Sequence, residues 1–270
     1  MDLKIKGKRA LVTGSSSGLG EAIAIMLAAE GAEVIVHGRD EIRSKAVVNK
    51  IIQSGGKAEY VIGDLATEEG SETIIKGALA NGQIDILVNN AGVYHGQPWM
   101  DVSPKEWLDT YNINVVSGIR MVQGLLPQMK ELGWGRIVQI GGITGIQPMA
   151  IQPDYNAAMA ARHNLTVSLA RNLKGFGITS NTVAPGAMLV ESVKNLIMGM
   201  AKQNDWGNTW EEIEKKAAAQ FLQNDTGRFG KPDEVAGAVA YLMSSFADNI
   251  TGSIIRVDGG QTLSVIYSDT

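Results

Sequence analysis

The feature that most constrains the fold is a glycine-rich turn at residues 13–20, with the sequence Thr-Gly-Ser-Ser-Ser-Gly-Leu-Gly. An apolar run at 10–12 leads into this turn, and an apolar stretch of helical character follows at 22–27. Glycines let the backbone turn tightly, and the N–H groups that open a helix point toward an anion. The spacing of Gly14 and Gly18 differs from the common G-x-G-x-x-G pattern. The flanking strand and helix nevertheless predict a turn that holds the pyrophosphate of a dinucleotide.

Short β-rich runs recur along the chain, and amphipathic stretches of helical length separate most of them. Such alternation predicts a parallel sheet with helices on both faces. Continuous apolar runs, as at 34–36 and 86–88, are typical of strands covered on both faces. We therefore predict an α/β fold, a Rossmann-type doubly wound sheet of seven parallel strands. The strands are predicted at about 8–13, 32–37, 57–62, 84–89, 135–140, 178–183 and 253–257.

The domain organisation follows from length and from one break in this pattern. The chain has 270 residues, 44% of them hydrophobic, and contains no evident linker, so we predict a single domain over 1–270. After Pro185-Gly186, which is predicted to end the sixth strand, the alternation breaks at about 187–227. We predict a lid or substrate wall in this insertion, with a surface helix pair or a subunit contact as the alternative.

Charge and composition argue against several other classes of protein. The net charge is −4 and the basic residues are scattered, which argues against nucleic acid or an anionic membrane as partner. No apolar run approaches the roughly 18 residues of a membrane helix. Residues 1–8 lack the apolar segment of a secretory signal, and cysteine is absent. We therefore expect a cytoplasmic protein without disulfides, and predict no metal site.

Further motifs occur in the order and at the intervals of one family. They are the glycine-rich turn, Asp64-Leu65, Asn89-Asn90-Ala91-Gly92, Asn114, Tyr155, Pro185-Gly186 and Val257-Asp258-Gly259-Gly260. On these residues, which span essentially the whole chain, the protein resembles the short-chain dehydrogenase/reductase family. The stretch 227–236 also looks like the family's segment before its last helix. The resemblance implies an oxidoreductase that transfers hydride between a nicotinamide cofactor and a ketone or secondary alcohol.

The end of the second predicted strand bears on the choice of cofactor. An acid there would accept hydrogen bonds from the adenosine ribose and favour NAD. Here Gly38 has no acid, and the Arg39 guanidinium suits a 2′-phosphate, so NADP is favoured over NAD. The alternative for Arg39 is a solvated loop cation. Asp64 is predicted to accept from the adenine amino group, with an acid at a helix start as the alternative.

The resemblance also implies a set of cofactor-binding residues along the predicted cleft. These are Gly14, Ser16, Ser17, Gly18, Leu19, Gly20, Arg39, Asp64, Leu65, Asn90, Ala91, Gly92, Tyr155, Pro185, Gly186 and Met188.

The catalytic residues of the family are matched only in part. The resemblance implies that Tyr155 donates a proton to the substrate carbonyl oxygen and that Asn114 anchors a water. The family's serine, which hydrogen-bonds the substrate oxygen, and its lysine, which lowers the pKa of the tyrosine and holds the ribose, have no counterpart. Gly142 and Met159 stand at their places. A residue four positions after Tyr155 faces the same site, but methionine offers neither charge nor donor.

These replacements predict weakened chemistry. A free tyrosine titrates near ~10, so without a neighbouring cation its phenolate is scarce at neutral pH. Loss of one oxyanion donor typically costs about 10²–10³ in rate. Thr144 is a candidate to supply a hydroxyl, with a turn residue as the alternative. Arg162, seven residues after Tyr155, is a candidate cation, with a subunit interface as the alternative, and His163 is predicted to serve packing or an interface.

The sequence predicts the substrate-binding residues less precisely than the cofactor-binding residues. His95 and Trp206 are candidate substrate contacts, with a surface loop histidine as the alternative for His95. Trp206, Trp210 and nearby methionines predict an apolar wall and a bulky or aliphatic carbonyl substrate. The resemblance implies a homo-oligomer, a tetramer in our prediction, paired through two long helices at about 103–132 and 153–175.

Four functional hypotheses stay open at this point. The first is an NADP-dependent oxidoreductase whose chemistry is weakened or lost. The second is an NADP-binding pseudoenzyme. The third is a non-redox catalyst that uses Tyr155 as acid or base. The fourth is that Gly142 and Met159 are deliberate replacements in an otherwise normal enzyme.

Overall fold

The centre of the computed structural model, which describes residues 2–263, is one parallel β-sheet. Met1 and residues 264–270 of the predicted domain lie outside the described residues. The strands are β1 (Arg9–Val12), β2 (Glu33–Gly38), β3 (Lys57–Ile62), β4 (Ile86–Asn89), β5 (Gly135–Ile140), β6 (Ile178–Pro185) and β7 (Ile254–Val257). Their order is β3-β2-β1-β4-β5-β6-β7, and every pairing is parallel. The predicted doubly wound sheet of seven strands is confirmed.

Helices cover both faces of the sheet. They are α1 (Gly18–Ala29), α2 (Glu41–Gln53), α3 (Glu68–Leu79), α4 (Pro104–Tyr111), α5 (Ser117–Leu132), α6 (Pro153–Asn172), α7 (Glu191–Asn204), α8 (Trp210–Phe221) and α9 (Pro232–Met243). Successive side chains of a strand point to opposite faces. Val12 therefore joins a core with residues of α1 and α9, whereas Leu11 joins a second core with residues of α3 and α5.

The long helix predicted at about 103–132 is present, but one stretch within it is not α-helical. A π-helical turn, Asn112–Val116, separates α4 from α5. Such turns have no periodic signature in a sequence and often occur at functional sites. Its consequence here is to bury Asn114 against the loop that follows β4.

The insertion at 187–227 folds as the helices α7 and α8. They enclose a small apolar cluster that includes Ile197, Trp206 and Ile213. In the part of the chain that the structure describes, no helix has the length and apolar character needed to cross a membrane.

Candidate active site

A large cleft lies at the carboxyl edge of the sheet, where open α/β sheets bind ligands. Its volume is about 770 Å³. Many predicted cofactor residues line it, namely Gly14, Ser16, Ser17, Gly18, Leu19, Gly20, Arg39, Asp64, Leu65, Asn90, Ala91 and Gly92. Lining residues that the sequence analysis did not single out include Arg43, Tyr94, Ile113, Val190, Ser192 and Asn195.

Close backbone packing shapes the glycine-rich turn. A Cβ placed on Gly20 would lie 2.4 Å from the Gly14 carbonyl oxygen and 2.5 Å from Nδ2 of Asn90. That amide donates in turn to the carbonyls of Thr13 and Gly14, which fixes the turn to the loop after β4. The N-cap of α1, Ser17, makes no side-chain cap hydrogen bond. The N–H groups of the first helical turn are therefore available to an anion.

The His37 side chain, near the end of β2, makes hydrogen bonds that hold the glycine-rich turn in place. Its Nδ1 accepts from the Gly14 N–H at 3.0 Å, and its Nε2 donates to the Gly63 carbonyl at 3.1 Å. This pattern requires the neutral ring with its proton on Nε2. Burial lowers the pKa of His37, which keeps the ring neutral. A histidine one residue before Gly38 carries no sequence signal for this role.

The residues after His37 form the corner of the cleft. A Cβ on Gly38 would lie 2.6 Å from the Ser16 hydroxyl oxygen and 2.7 Å from the Ser16 Cβ. The exposed Arg39 lines the cleft beside it, together with Arg43, whose guanidinium lies 3.5 Å from the Asp40 carboxylate. The Ser44 hydroxyl oxygen would lie at 2.8 Å from the same Cβ, so this corner has no space for an acidic side chain at 38 unless both serines move.

The remaining predicted cofactor contacts do not all lie at this cleft. Asp64 is exposed at the cleft and accepts from the Ala66 N–H at 3.0 Å. Pro185 and Gly186 lie at the end of β6, and the Gly186 N–H donates to the Val257 carbonyl at 3.0 Å. Met188 lines a separate cavity of about 340 Å³ beside β7.

Tyr155, Met159 and Gly142 lie close together at one site. A Cβ on Gly142 would lie 3.5 Å from the Tyr155 hydroxyl oxygen and 3.5 Å from Cγ of Met159. The rings of Tyr155 and Tyr94 are 5.8 Å apart. Burial raises the pKa of Tyr155, while the Arg162 charge lowers it and Tyr94 raises it.

Asn114 and Arg162 hold the loop between β4 and α4 in place. The Asn114 side chain accepts from the Val93 N–H at 3.1 Å and donates to the carbonyls of Val93 and Thr110 at 2.8 and 2.9 Å. The Asn114 main-chain carbonyl accepts from Nε of Arg162. Arg162 is 3% exposed, and burial lowers the pKa of its guanidinium to about 10, so it is charged at neutral pH.

Four other residues were singled out in the sequence, and their surroundings differ. They are Thr144, His163, His95 and Trp206. The Thr144 hydroxyl and Nε2 of His163 are buried and make no hydrogen bond to the residues described. Burial lowers the pKa of His163 to about 4, so the ring is neutral at pH 7. His95 is exposed on its loop. Trp206 is 7% exposed and packs 5.9 Å from the Phe221 ring, so it lies inside the α7–α8 cluster and does not line the cleft.

Comparisons with known proteins agree with this architecture. The family described as short chain dehydrogenase matches residues 8–200. The uncharacterized oxidoreductase YvaG of Bacillus subtilis is 34% identical over 98% of this chain and 100% of its own. The 3-oxoacyl-[acyl-carrier-protein] reductase FabG of Aquifex aeolicus is 36% identical over 96% of this chain and 99% of its own.

A solved structure shows the same fold. L-sorbose reductase from Gluconobacter frateurii, complexed with NADPH and L-sorbose, superposes with a TM-score of 0.91 and 31% identity. The superposition covers 98% of this chain and 100% of that one. Sequence match, topology and the placement of the cleft agree, and the chain belongs to the short-chain dehydrogenase/reductase family of NAD(P)-dependent oxidoreductases.

Proposed function

We propose that this chain interconverts a ketone and its secondary alcohol with NADP, at a turnover lowered by Gly142 and Met159. The observation that carries the proposal is a cleft suited to a dinucleotide with Tyr155 next to its wall, since the Tyr155 ring lies 5.8 Å from that of the lining residue Tyr94. A glycine-rich turn that fits a pyrophosphate lies at one end, with Arg39 in place of an acid, and Tyr155 lies beyond the loop at 90–94. The NADPH complex of the similar L-sorbose reductase supports the cofactor assignment.

The preference for NADP rests on the corner at the end of β2. Gly38 packs against Ser16 too closely for an acid, and Arg39 and Arg43 both line the cleft there. A guanidinium pairs with phosphate in a bidentate geometry that a ribose hydroxyl cannot match. Asp40 lies beside Arg43, which favours Arg39 as the main phosphate partner.

In the proposed reaction the hydride would come from the cofactor and the proton from the protein. NADPH, if held by the glycine-rich turn and Arg39, would supply the hydride for the carbonyl carbon of the substrate. The Tyr155 hydroxyl donates the proton that the carbonyl oxygen needs. Gly142 provides no hydroxyl to hold that oxygen, and Met159 provides no charge beside the phenol. We therefore propose slow but real turnover in both directions.

The substrate proposal draws on the site's walls and on the similar proteins. We propose that the helices of 187–227 form a lid or substrate wall, because α7 begins at the cleft with Val190, Ser192 and Asn195. Tyr94, which also lines the cleft, and Trp99, farther along the loop after β4, are exposed. A bulky or aliphatic ketone fits such walls. A 3-oxoacyl thioester and L-sorbose join the test panel because similar proteins are named for them.

The cofactor proposal is tested by titrating NADPH and NADH against purified protein. NADPH should bind more tightly, and Arg39→Ala should weaken NADPH binding about tenfold or more while leaving NADH nearly unchanged, because a charged hydrogen bond contributes about 1.5–3 kcal/mol. Arg43→Ala is the matched control and should have a smaller effect. Equal affinity for both cofactors in all three proteins would refute the proposal.

An NADP-binding pseudoenzyme is the second candidate, and the buried Met159 beside Tyr155 favours it. It predicts the same cofactor titrations with no turnover on any ketone of the panel. A small turnover that disappears in Tyr155→Phe separates the reductase from this candidate.

We also propose assembly as a homotetramer. An apolar groove of about 330 Å³ runs between α5 and α6, lined by Ile119, Val122, Leu126, Leu165 and Leu169 among others. Pairing of these helices across a two-fold axis would cover it. Light scattering at micromolar concentration should give four times the chain mass, and a monomer mass would contradict the proposal.

A further inference from the structure

The π-helical turn between α4 and α5 makes hydrogen bonds to two of the loops that line the cleft. Asn112, its first residue, donates from Nδ2 to the Ala66 carbonyl at 2.7 Å. Asn114 donates from Nδ2 to the Val93 carbonyl at 2.8 Å and accepts from the Val93 N–H at 3.1 Å. Ala66 follows β3 and Val93 follows β4, and both line the cleft, as does Ile113 between the two asparagines. One short turn therefore fixes two loops of the cleft wall.

A cation of α5 completes the contact on the Ala66 side. Nη1 of Arg120 donates to Oδ1 of Asn112 at 3.1 Å and to the Leu65 carbonyl at 3.3 Å. This nitrogen carries two hydrogens, so one serves each acceptor. The Asn112 amide satisfies both of its bonds in only one orientation, with its oxygen toward Arg120 and its nitrogen toward Ala66. Arg120 and Asn112 therefore form one network with two consecutive carbonyls of the loop after β3.

The segment 64–66 takes its hydrogen bonds at these carbonyls from side chains alone. In the described part of the chain, no main-chain N–H donates to the carbonyl of Leu65 or of Ala66. Their donors, Arg120 and Asn112, are 55 and 46 residues away in sequence. Removal of these donors would release the segment from the helical region that holds it, and segments with few hydrogen bonds open locally at low cost.

The position of this segment links the network to one half of the proposed cofactor. The segment 64–66 follows β3, and Arg39 follows β2, the strand paired with β3. Both line the cleft. In the proposed function Arg39 holds the 2′-phosphate of NADP, so the adenosine would lie between Arg39 and this segment. Arg120 and Asn112 therefore support the wall of the adenosine half.

Neither side chain lines the surfaces that the article assigns to other roles. The α5 residues of the groove between α5 and α6 include Gly118, Ile119 and Val122, whereas Arg120 and Asn112 are absent from its lining. Both are also absent from the lining of the cofactor cleft. Each is half-buried and reaches the cleft only through a carbonyl of the loop after β3.

We propose that Arg120 and Asn112 are positioning residues for the adenosine half of the cofactor. They hold the segment 64–66 in the conformation that binds adenosine, and they do so without touching the cofactor. Asn114, in the same turn, holds the other loop, so the two halves of the cleft depend on different side chains. The inference rests on the proposed function for its ligand, a dinucleotide with an adenosine half.

The test measures the adenosine half and the whole site separately. Adenosine 2′,5′-bisphosphate reports on the adenosine half alone, and NADPH reports on the whole site, with calorimetry giving each dissociation constant. The variants are Arg120→Met, Arg120→Lys and Asn112→Ala. Lys76→Met, at an exposed position of α3, is the matched control and should bind both ligands as the unmodified chain does. Hydrogen exchange of the free protein measures the protection of the amides at 64–67.

Arg120→Met should weaken both ligands by the same factor, about three- to tenfold, because only part of the population then has the segment in place for binding. Arg120→Lys should restore most of the affinity, since its ammonium still offers donors to the carbonyls. In the free protein, Arg120→Met should lower the protection of the amides at 64–67 and leave that at 91–94 unchanged. Unchanged protection at 64–67 would overturn the proposal. Weaker binding of NADPH with unchanged binding of the bisphosphate would also overturn it.

Asn112→Ala separates position from charge. Arg120→Met also removes a cation, which by itself disfavours an anionic ligand. Asn112→Ala changes no charge, so an equal loss of affinity for both ligands in this variant supports positioning. It carries the test alone where Arg120→Met does not fold. Normal binding of both ligands by a folded Asn112→Ala protein would overturn the proposal.

Failure of the proposed function gives different results in this experiment. Absence of ketone turnover would refute the proposed reaction and leave the binding comparison unaffected. Equal affinity for NADPH and NADH would refute the NADP assignment, and the same comparison is then made with NADH and ADP. An unmodified chain that binds none of these ligands would overturn the proposed function and this inference together.

Discussion

Two glycines, one in the glycine-rich turn and one beside Tyr155, differ in the space around them. At Gly20, in the glycine-rich turn, an added Cβ would meet backbone and amide atoms at 2.4 and 2.5 Å. At Gly142, beside Tyr155, the nearest atoms would lie at 3.5 Å, which is ordinary van der Waals contact. Gly142 also has φ −165°, an extended conformation open to any residue. Packing therefore requires glycine at 20 and does not require it at 142.

The comparison of these two glycines suggests that cofactor binding and catalysis place different requirements on the backbone. In the turn, close backbone approach is what allows N–H groups to reach an anion, so the residue type is set by geometry. At 142 an added Cβ would make only ordinary contacts, and what glycine lacks relative to the family's serine is a hydroxyl. The two ends of the site can therefore be altered independently of each other.

The largest expected effect is on chemistry alone. Tyr155→Phe removes the proton donor and should lower ketone turnover by about 10²–10⁴-fold, the usual contribution of a general acid. Its NADPH dissociation constant should stay within about threefold, because the glycine-rich turn is unaffected. Steady-state kinetics and fluorescence titration measure the two quantities. A parallel loss of binding would show that the two ends are not independent.

The next largest effect is the change in stability and in NADPH affinity when one methyl group is added at each of the two glycines. Gly20→Ala should destabilise the protein by about 1–3 kcal/mol through overpacking and weaken NADPH binding at least tenfold. Gly142→Ala, the matched control, should change neither by much. Chemical denaturation and NADPH titration of both variants provide the measurement. Similar losses in the two variants would remove the basis of the comparison.

The smallest predicted effect is a pH dependence of NADPH affinity that arises at the glycine-rich turn. The folded-state pKa of His37 is lowered, so its contribution to stability is present above the unfolded value of about 6.5 and is lost as pH falls below it. Protonation of Nδ1 removes the acceptor of the Gly14 N–H. NADPH affinity should therefore stay constant above about pH 6.5 and weaken as the pH falls below it, where His37 becomes protonated.

The control for this prediction is a second histidine. His37→Asn keeps an acceptor that does not titrate and should lose the pH dependence of NADPH affinity. His163→Gln should retain it, because His163 lies behind Gly141 and outside the cleft. An unchanged pH profile in His37→Asn would show that another group governs the effect.

The strands and the binding turn could be predicted because their signals are local. Runs such as 86–88 are apolar throughout, and the order of strand, glycine turn and helix at 10–27 has few structural solutions. All seven strands were found near their predicted positions. The proximity of Tyr155 and Met159 also followed from helical spacing alone.

The contacts that the sequence could not predict are made between distant segments. Arg162 donates to carbonyls at 91, 114 and 140, and backbone carbonyls leave no trace in residue types. The ring of His37 bridges two loops in the same way. Trp206 was predicted as a substrate contact from its apolar surface, but the same property suits the interior of the α7–α8 cluster, where the structure has it.

The glycine-rich turn is closely packed and matches the family's pattern, whereas position 142 lacks the family's hydroxyl although a Cβ would fit there. The most direct test compares ketone turnover and NADPH affinity in the unmodified chain, Gly142→Ser and Gly142→Ala. We predict that Gly142→Ser raises turnover by about 10²-fold or more, the usual value of one oxyanion donor, with NADPH affinity and thermal stability nearly unchanged. Gly142→Ala should show no gain. Turnover in the unmodified chain that equals or exceeds that of a folded, NADPH-binding Gly142→Ser would contradict the account.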